Sequence, residues 1–460
     1  MARLGGFSNQ QYTVNHVAQM CGGVVTKSCR RRVQDLQIDS RACTKNSLFF
    51  ALPGNQKPGF AFIEDAAEHG SSAVVVQNQD AWRANALLSG YACAVIAVED
   101  TLLALQLLAK NYKQQFSSVT TVGITGSCGK STTKEAVAAI ASMLGKTIKT
   151  PGNFNSEIGL PLSILQMQND TQFGIFEMGI DHVGEMDRMV DMLRPDIGLL
   201  TNIGVSHLEK FTSCQITAQE KGKLFHPEMK RAFISNTCKY VSLLEKHTNQ
   251  QLECYGFEDI QSFDRGLDGW DITYQGEQFH VNCVGKHLLL DVIGAIHVGK
   301  ALGADKKDIA QGLADFSPME GRSSVHRSEV TIINDSYNAS PDSTTSILDY
   351  LSSLYWTGNK KIVLGPMKEL GYATQQAHSL VARRLYSANL NSAFLYGEEM
   401  KGAYDLLKSL EYQNQLFYTD SFEELTEKVK KETHHGDLFL LKASRSVAME
   451  RLIPSIRDVG

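Results

Sequence analysis

Thr120-Thr121-Val122-Gly123-Ile124-Thr125-Gly126-Ser127-Cys128-Gly129-Lys130-Ser131-Thr132-Thr133 is the stretch whose reading decides the fold. The apolar, β-branched run from Val119 to Ile124 predicts a strand, which breaks into a glycine turn followed by a lysine and hydroxyls. Lys134 to Ala141 is rich in helix formers, so a helix is expected directly after the turn. Strand, glycine turn and helix together aim backbone N–H groups and a helix N-terminus at a phosphate. In that arrangement Thr125, Gly126, Ser127, Cys128, Gly129, Lys130, Ser131 and Thr132 form a phosphate-binding loop. Gly126 and Gly129 admit close backbone approach, Lys130 reaches the outer phosphates, and the Ser131 hydroxyl sits on Mg²⁺. The spacing is the short form Gly-x-x-Gly-Lys-Ser, because Ile124 stands where the longer pattern has its first glycine. A plain glycine-rich turn with no ligand is the bland alternative. Cys128 reads either as a reactive thiol in that loop or as a small turn residue.

The bulk properties frame this loop. A chain of 460 residues accommodates about three domains at ~150 residues each. Its 43% hydrophobic and 21% charged residues are those of an ordinary globular protein. A net charge of −5 argues against nucleic acid as a partner. Nine cysteines, scattered without a Cys-x-x-Cys pair, read as reduced thiols rather than a disulfide frame or a zinc site. No signal peptide is legible at the start, and Tyr91 to Val98 is far too short to span a membrane. A cytoplasmic protein is expected.

Outward from the loop, strands alternate with helices, which predicts an α/β chain with mostly parallel, doubly wound sheets. Residues 1–100 read as a small α/β domain with strands at Ser47 to Leu52 and Ala73 to Val76 and a helix from Ala61 to His69. Ile38-Asp39-Ser40-Arg41 is a polar turn, either solvated or part of a site, and Arg30-Arg31-Arg32 reads as a solvated run. Thr101 to Phe116 has helical apolar spacing and leads into a central domain, residues 101–317. There the strand Gly174 to Gly179 carries Glu177 at its end, beside the loop strand, where open sheets place ligands. A further strand, Asp196 to Thr201, feeds Asn202 and then His207. Gln219-Glu220-Lys221-Gly222-Lys223 reads by itself as an exposed charged helix. Residues 318–460 form a third, Rossmann-like domain with strands at Thr331 to Ile333, Lys361 to Leu364, Ala393 to Tyr396 and Leu438 to Leu441.

These pieces resemble the Mur ligases, ATP-dependent amide-forming enzymes of peptidoglycan synthesis. The likeness runs through all three regions: Gly126 to Thr132, Gly152-Asn153-Phe154-Asn155-Ser156-Glu157-Ile158-Gly159, Glu177-Met178-Gly179, Asn202 with His207-Leu208-Glu209, Lys221-Gly222, Arg322, Asp335-Ser336-Tyr337-Asn338-Ala339 and Met367-x-Glu369-Leu370-Gly371. The Asn-Phe-Asn-x-Glu-Ile-Gly and Met-x-Glu-Leu-Gly stretches are similar to the branch that joins D-Ala-D-Ala to UDP-N-acetylmuramoyl-tripeptide. No Asp-Asn-Pro-Arg motif of the amino-acid-adding branch is present.

The resemblance implies a three-domain enzyme: a UDP-sugar domain, an ATP-binding P-loop domain and a C-terminal ligase domain. It further implies Lys130, Glu177, His207, Lys221 and Arg322 as catalytic groups. Ser131, Glu177, His207 and Lys221 are implied as Mg²⁺ ligands, Lys221 as a carbamate. Asp291, Arg322, Asp335 and Asn338 would meet the nucleotide. Ser40, Arg41, Asn153, Asn155, Lys442 and Ser444 would meet the other substrates. The chain departs from the family at Leu288 and Asp291, where asparagines are usual, and at Pro366 and Pro58-Gly59-Phe60. The expected activity is acyl-phosphate-mediated ligation by a monomer using ATP and Mg²⁺. Amino-acid addition, folylpolyglutamate synthesis and a nucleotide-binding protein without turnover are the alternatives.

Overall fold

Strand Leu438–Lys442 is buried along its whole length, and its neighbours in sequence alternate between two cores. Phe439 and Leu441 pack with Ile332, Val363, Phe394, Leu425 and Val429, while Leu438 and Leu440 pack on the opposite face with Ile333, Ile362, Leu348, Val381 and Leu407. A strand covered by helices on both faces must be apolar at every position, which is why these strands read as unbroken hydrophobic runs. The computed structural model describes residues 7, 11–54, 56–205, 208–248, 251–388 and 390–457. It divides into two compact units: Met1–Thr125, Leu144–Leu199 and Lys223–Ala232 in the first, and Gly126–Met143, Leu200–Gly222 and Phe233–Gly460 in the second.

The first unit contains a five-stranded sheet in the order Val24–Lys27, Ala94–Val98, Ala73–Gln77, Ser47–Phe50, Asp35–Gln37. All its pairs are parallel except the one between Val24–Lys27 and Ala94–Val98. The expected helix at Ala61 to His69 is a 3₁₀ turn, Gly59–Phe62, running into helix Ile63–Glu68. Helix Thr101–Lys113 starts where Asp100 accepts from the N–H groups of Leu102 and Leu103, and it buries Ala104, Leu105, Leu108, Ala109 and Tyr112. Strand Phe173–Glu177 pairs in parallel with Thr120–Thr125 on one side and Thr147–Lys149 on the other, with Glu177 opposite Ile124.

In the second unit, a six-stranded sheet runs in the order Ser324–Arg327, Thr331–Asn334, Leu438–Lys442, Lys360–Leu364, Ser392–Tyr396, Gln415–Thr419. Only its first pair is antiparallel. The last strand in sequence inserts between the first two parallel ones, so segments 335–340, 365–371 and 443–445 share the carboxyl edge of the sheet, where such sheets bind ligands. The second unit also holds a three-stranded antiparallel sheet, Gln261–Asp264, Trp270–Tyr274 and Glu277–Val281, that the sequence reading does not anticipate. Among the described residues, no helix is long and apolar enough to cross a membrane.

Candidate active site

The phosphate loop of the second unit is shaped by two glycines that nothing else could replace. Gly126 has φ +151, and a Cβ there would lie 1.9 Å from Thr201 Oγ1. Gly129 has φ +82, and its Cβ would lie 2.1 Å from Asp291 Oδ1. Both positions combine a left-handed backbone with a close neighbour, the two conditions that require glycine. The loop is seated on the turn after strand Ile197–Leu200: Ser127 N donates to Asn202 O (2.9 Å), Cys128 N to Asn202 Oδ1 (3.0 Å), and Asn202 Nδ2 to Cys128 O (3.2 Å). Lys130 opens helix Lys130–Leu144, and its ammonium donates to Gly126 O at 2.8 Å. Arg322 Nη2 donates to Ser131 Oγ at 3.0 Å, and Thr132 is buried behind it. A helix N-terminus, an ammonium and a guanidinium thus converge on one loop, a combination that attracts and orients phosphate.

Asp291 faces this loop from helix Lys286–Ala301. Burial pushes its carboxyl up to about 8, against the opposing pull of the Arg322 and Lys130 charges. Loss of hydration also lowers His287, one turn earlier, to about 4, so its imidazole is neutral. The Arg322 guanidinium lies 3.9 Å from the centre of the Tyr337 ring, a stacking partner that the sequence reading left without a role. At the carboxyl edge of the C-terminal sheet, the buried Lys442 ammonium donates to Asp335 Oδ2 (2.6 Å) and Asn338 O (2.8 Å). Asp335 and Lys442, expected on different ligands, are therefore an ion pair. Ser444 Oγ accepts from Lys368 N at 2.9 Å, under the Met367-Lys368-Glu369-Leu370-Gly371 turn. His378, which the sequence does not single out, holds the same turn: its Nε2 accepts from Met367 N (3.1 Å), its Nδ1 lies 2.7 Å from Thr374 O, and burial lowers its pKa.

In the first unit, Glu177 is fully buried, and its Oε1 accepts from Asn155 Nδ2 at 2.6 Å. Thr150 Oγ1 accepts from Glu177 N at 3.0 Å, and Thr125 Oγ1 donates to Met178 O at 2.7 Å. Asn153 lies in the same turn, its carbonyl accepting from Asn155 N. Ser40 is buried, whereas Arg41 is exposed and forms an ion pair with Asp39 at 2.7 Å; hydrogen bonds from the Arg41 side chain lower the Asp39 carboxyl. Lys223 is a half-exposed partner of Asp187 at 2.7 Å. Lys221, in helix Cys214–Gly222 of the second unit, is by contrast 1% exposed, and Glu220 is buried beside it. The exposed charged helix read from that stretch alone is thus corrected. His207 lies outside the described residues.

Three family models match the chain: "Mur ligase family, catalytic domain" over residues 32–113, "Mur ligase middle domain" over 124–299, and "Mur ligase, glutamate ligase domain" over 321–445. The UDP-N-acetylmuramoyl-tripeptide--D-alanyl-D-alanine ligase of Treponema pallidum (strain Nichols) is 32% identical over 443 residues, 93% of this chain and 94% of that protein. The chain belongs to the Mur ligase family. This Mur ligase also has the fold of MurF from Acinetobacter baumannii, with a TM-score of 0.85 at 23% identity over 98% of this chain and 99% of the other. MurF from Thermotoga maritima in complex with ADP gives a TM-score of 0.75 at 26% identity over 92% and 97% of the two chains.

Proposed function

We propose that this Mur ligase joins D-alanyl-D-alanine to UDP-N-acetylmuramoyl-tripeptide at the expense of ATP. The observation that carries the reading is the 32% identity over 93% of the chain to a relative of that name. The ADP complex of the Thermotoga relative supports nucleotide use. So does the chain's own loop, where Gly126 and Gly129 let the turn pack against Thr201 and Asp291 and Lys130 and Arg322 supply positive charge.

A tripeptide carboxylate oxygen attacks the γ-phosphorus of ATP, the bond to the β–γ bridging oxygen breaks, and ADP leaves. The dipeptide amine, having lost a proton, then attacks the acyl carbon of the acyl phosphate. The carbon–oxygen bond breaks, phosphate departs with the electron pair, and the nitrogen gives up a second proton, which the departing phosphate takes. Lys130 and Arg322 stabilise charge on the transferred phosphoryl group, and the loop orients it. Ser131, Glu177, His207 and a carbamylated Lys221 would hold Mg²⁺, and the hydroxyl and carboxylate oxygens among them are the donors this hard cation prefers. When bound, Mg²⁺ neutralises phosphate charge. Asp291 and Asn338 lie with the nucleotide, Ser40, Arg41, Asn153 and Asn155 with the UDP-sugar, and Lys442 and Ser444 near the dipeptide. The domain borders are put near residues 100 and 317; the second lies in the gap between the family models that end at 299 and begin at 321. The enzyme is a cytoplasmic monomer.

A coupled phosphate-release assay tests this. Release is expected only with ATP, the UDP-tripeptide and D-Ala-D-Ala together, and Lys130→Ala, whose loop side chain adds little to packing, should abolish it while leaving the fold intact. Release with a single amino acid in place of the dipeptide would assign the chain to the amino-acid-adding branch, and no release would overturn the ligase reading.

A further inference from the structure

The segment after strand Ile197–Leu200 is gripped from two sides. On one side it seats the phosphate loop: besides the Asn202 contacts, Gly204 N donates to Ser127 Oγ at 2.9 Å, and Thr201 Oγ1 donates to Cys128 O. On the other side, Val205 N donates to Asp342 Oδ2 at 2.9 Å, across 137 residues of sequence. Gly204 is pressed so closely against that carboxylate that a Cβ would lie 2.2 Å from Oδ2. Asp342 stands in the first turn of helix Pro341–Ser353, where the helix dipole favours a carboxylate. The N-cap of that helix, Ser340, brings its Oγ to 3.3 Å from Cys128 Sγ. A second anchor lies further along, where Tyr372 Oη donates to Thr212 O at 3.0 Å. Asp342 is exposed and Tyr372 is 77% exposed, so neither is placed by the burial of its side chain.

We infer that Asp342 is a positioning residue for the phosphate loop. Its carboxylate fixes the Gly204-Val205 turn, the turn fixes Ser127, and Tyr372 steadies the same segment from its far end. Asp342 need touch no substrate, because it acts through Gly204 and Ser127. The predicted effect on turnover rests on the ATP-dependent ligase reading, whereas the hydrogen bond itself does not.

Two measurements on Asp342→Ala, Asp342→Asn and Tyr372→Phe test it. A charge-assisted hydrogen bond lost at the seat of the loop is expected to lower kcat/KM for ATP about tenfold in Asp342→Ala, and the neutral one in Tyr372→Phe about threefold, with the fold retained and melting temperatures lowered by no more than about 4 °C. Asp342→Asn keeps an oxygen that accepts the Val205 N–H and should recover most of the rate. By hydrogen exchange, the Val205 amide should open about tenfold faster in Asp342→Ala but not in Asp342→Asn. Unchanged exchange at Val205 in Asp342→Ala, or equal rates of catalysis in the alanine and asparagine variants, would overturn the assignment. If the wild type releases no phosphate, the ligase reading fails, and the Val205 exchange still decides whether Asp342 holds the turn.

Discussion

Replacing Asp291 by Asn changes one ionisable proton and almost no volume, so its effect can be worked from the site. The native carboxyl is pushed up to about 8 by burial, while an unfolded aspartate titrates near ~3.9. An acid whose folded pKa is raised contributes stability that is fully present below about pH 4 and is lost as pH rises through 8. Inside that window the native state holds one proton more than the unfolded chain, and stability falls by ~1.4 kcal/mol per pH unit. The asparagine variant has nothing to titrate at this position. Between pH 5 and pH 7, therefore, the wild type should lose ~2.7 kcal/mol relative to Asp291→Asn. Native-state hydrogen exchange of the amides in helix Lys286–Ala301 reads this locally, without requiring the two units to unfold together. Once intrinsic exchange is corrected for pH, the ratio of protection factors, variant over wild type, should rise about a hundredfold between pH 5 and pH 7. A ratio that stays constant over that interval would show that Asp291 is ionised in the folded protein and would refute the reasoning.

Two other substitutions probe buried charge. Lys442→Met removes the partner of a carboxylate whose side chain is only 12% exposed, and should destabilise the second unit by ~3 kcal/mol in thermal or urea unfolding, with Asp335→Asn in the same chain recovering part of the loss. Lys221→Arg keeps the charge but cannot readily form a carbamate, so it should be nearly as inactive as Lys221→Ala in phosphate release; acetate should partly restore the alanine variant, and robust activity in Lys221→Arg would return Lys221 to a structural role.

How much of this was legible depended on what each residue answers to. Runs such as Ile332-Ile333 and Leu438 to Leu441 answer to two cores at once, so their hydrophobicity alone marks buried parallel strands. Tyr91 to Val98, noticed only as too short for a membrane span, contributes strand Ala94–Val98 for the same reason. Strand Gln261–Asp264 is exposed at all four positions and carries no such signal. Lys221 reads as surface from its neighbours, because a lysine's composition does not reveal that the fold encloses it. Arg322 meets Ser131 across 191 residues, and no local pattern joins them; only the family resemblance placed them together. Asp342, Tyr337 and His378 went unassigned because their partners are chosen by the tertiary fold.

Asp291 shows why such departures need the structure before they can be interpreted. From sequence it is an acid where an asparagine is usual, expected to meet the nucleotide; the structure places it against the phosphate loop, where a carboxylate would repel the ligand. The fold changes its chemistry. Pressed against Gly129 and cut off from water, the carboxyl keeps its proton at neutral pH, even with Lys130 and Arg322 near enough to pull the other way. In that state it presents a hydroxyl donor and a carbonyl acceptor, a closer match to an asparagine side chain than to a carboxylate. A bound polyphosphate would add negative charge and favour the protonated form further. The loop therefore keeps the positive field of its lysine, guanidinium and helix N-terminus, and the departure from the family's asparagine is compatible with an intact phosphate site.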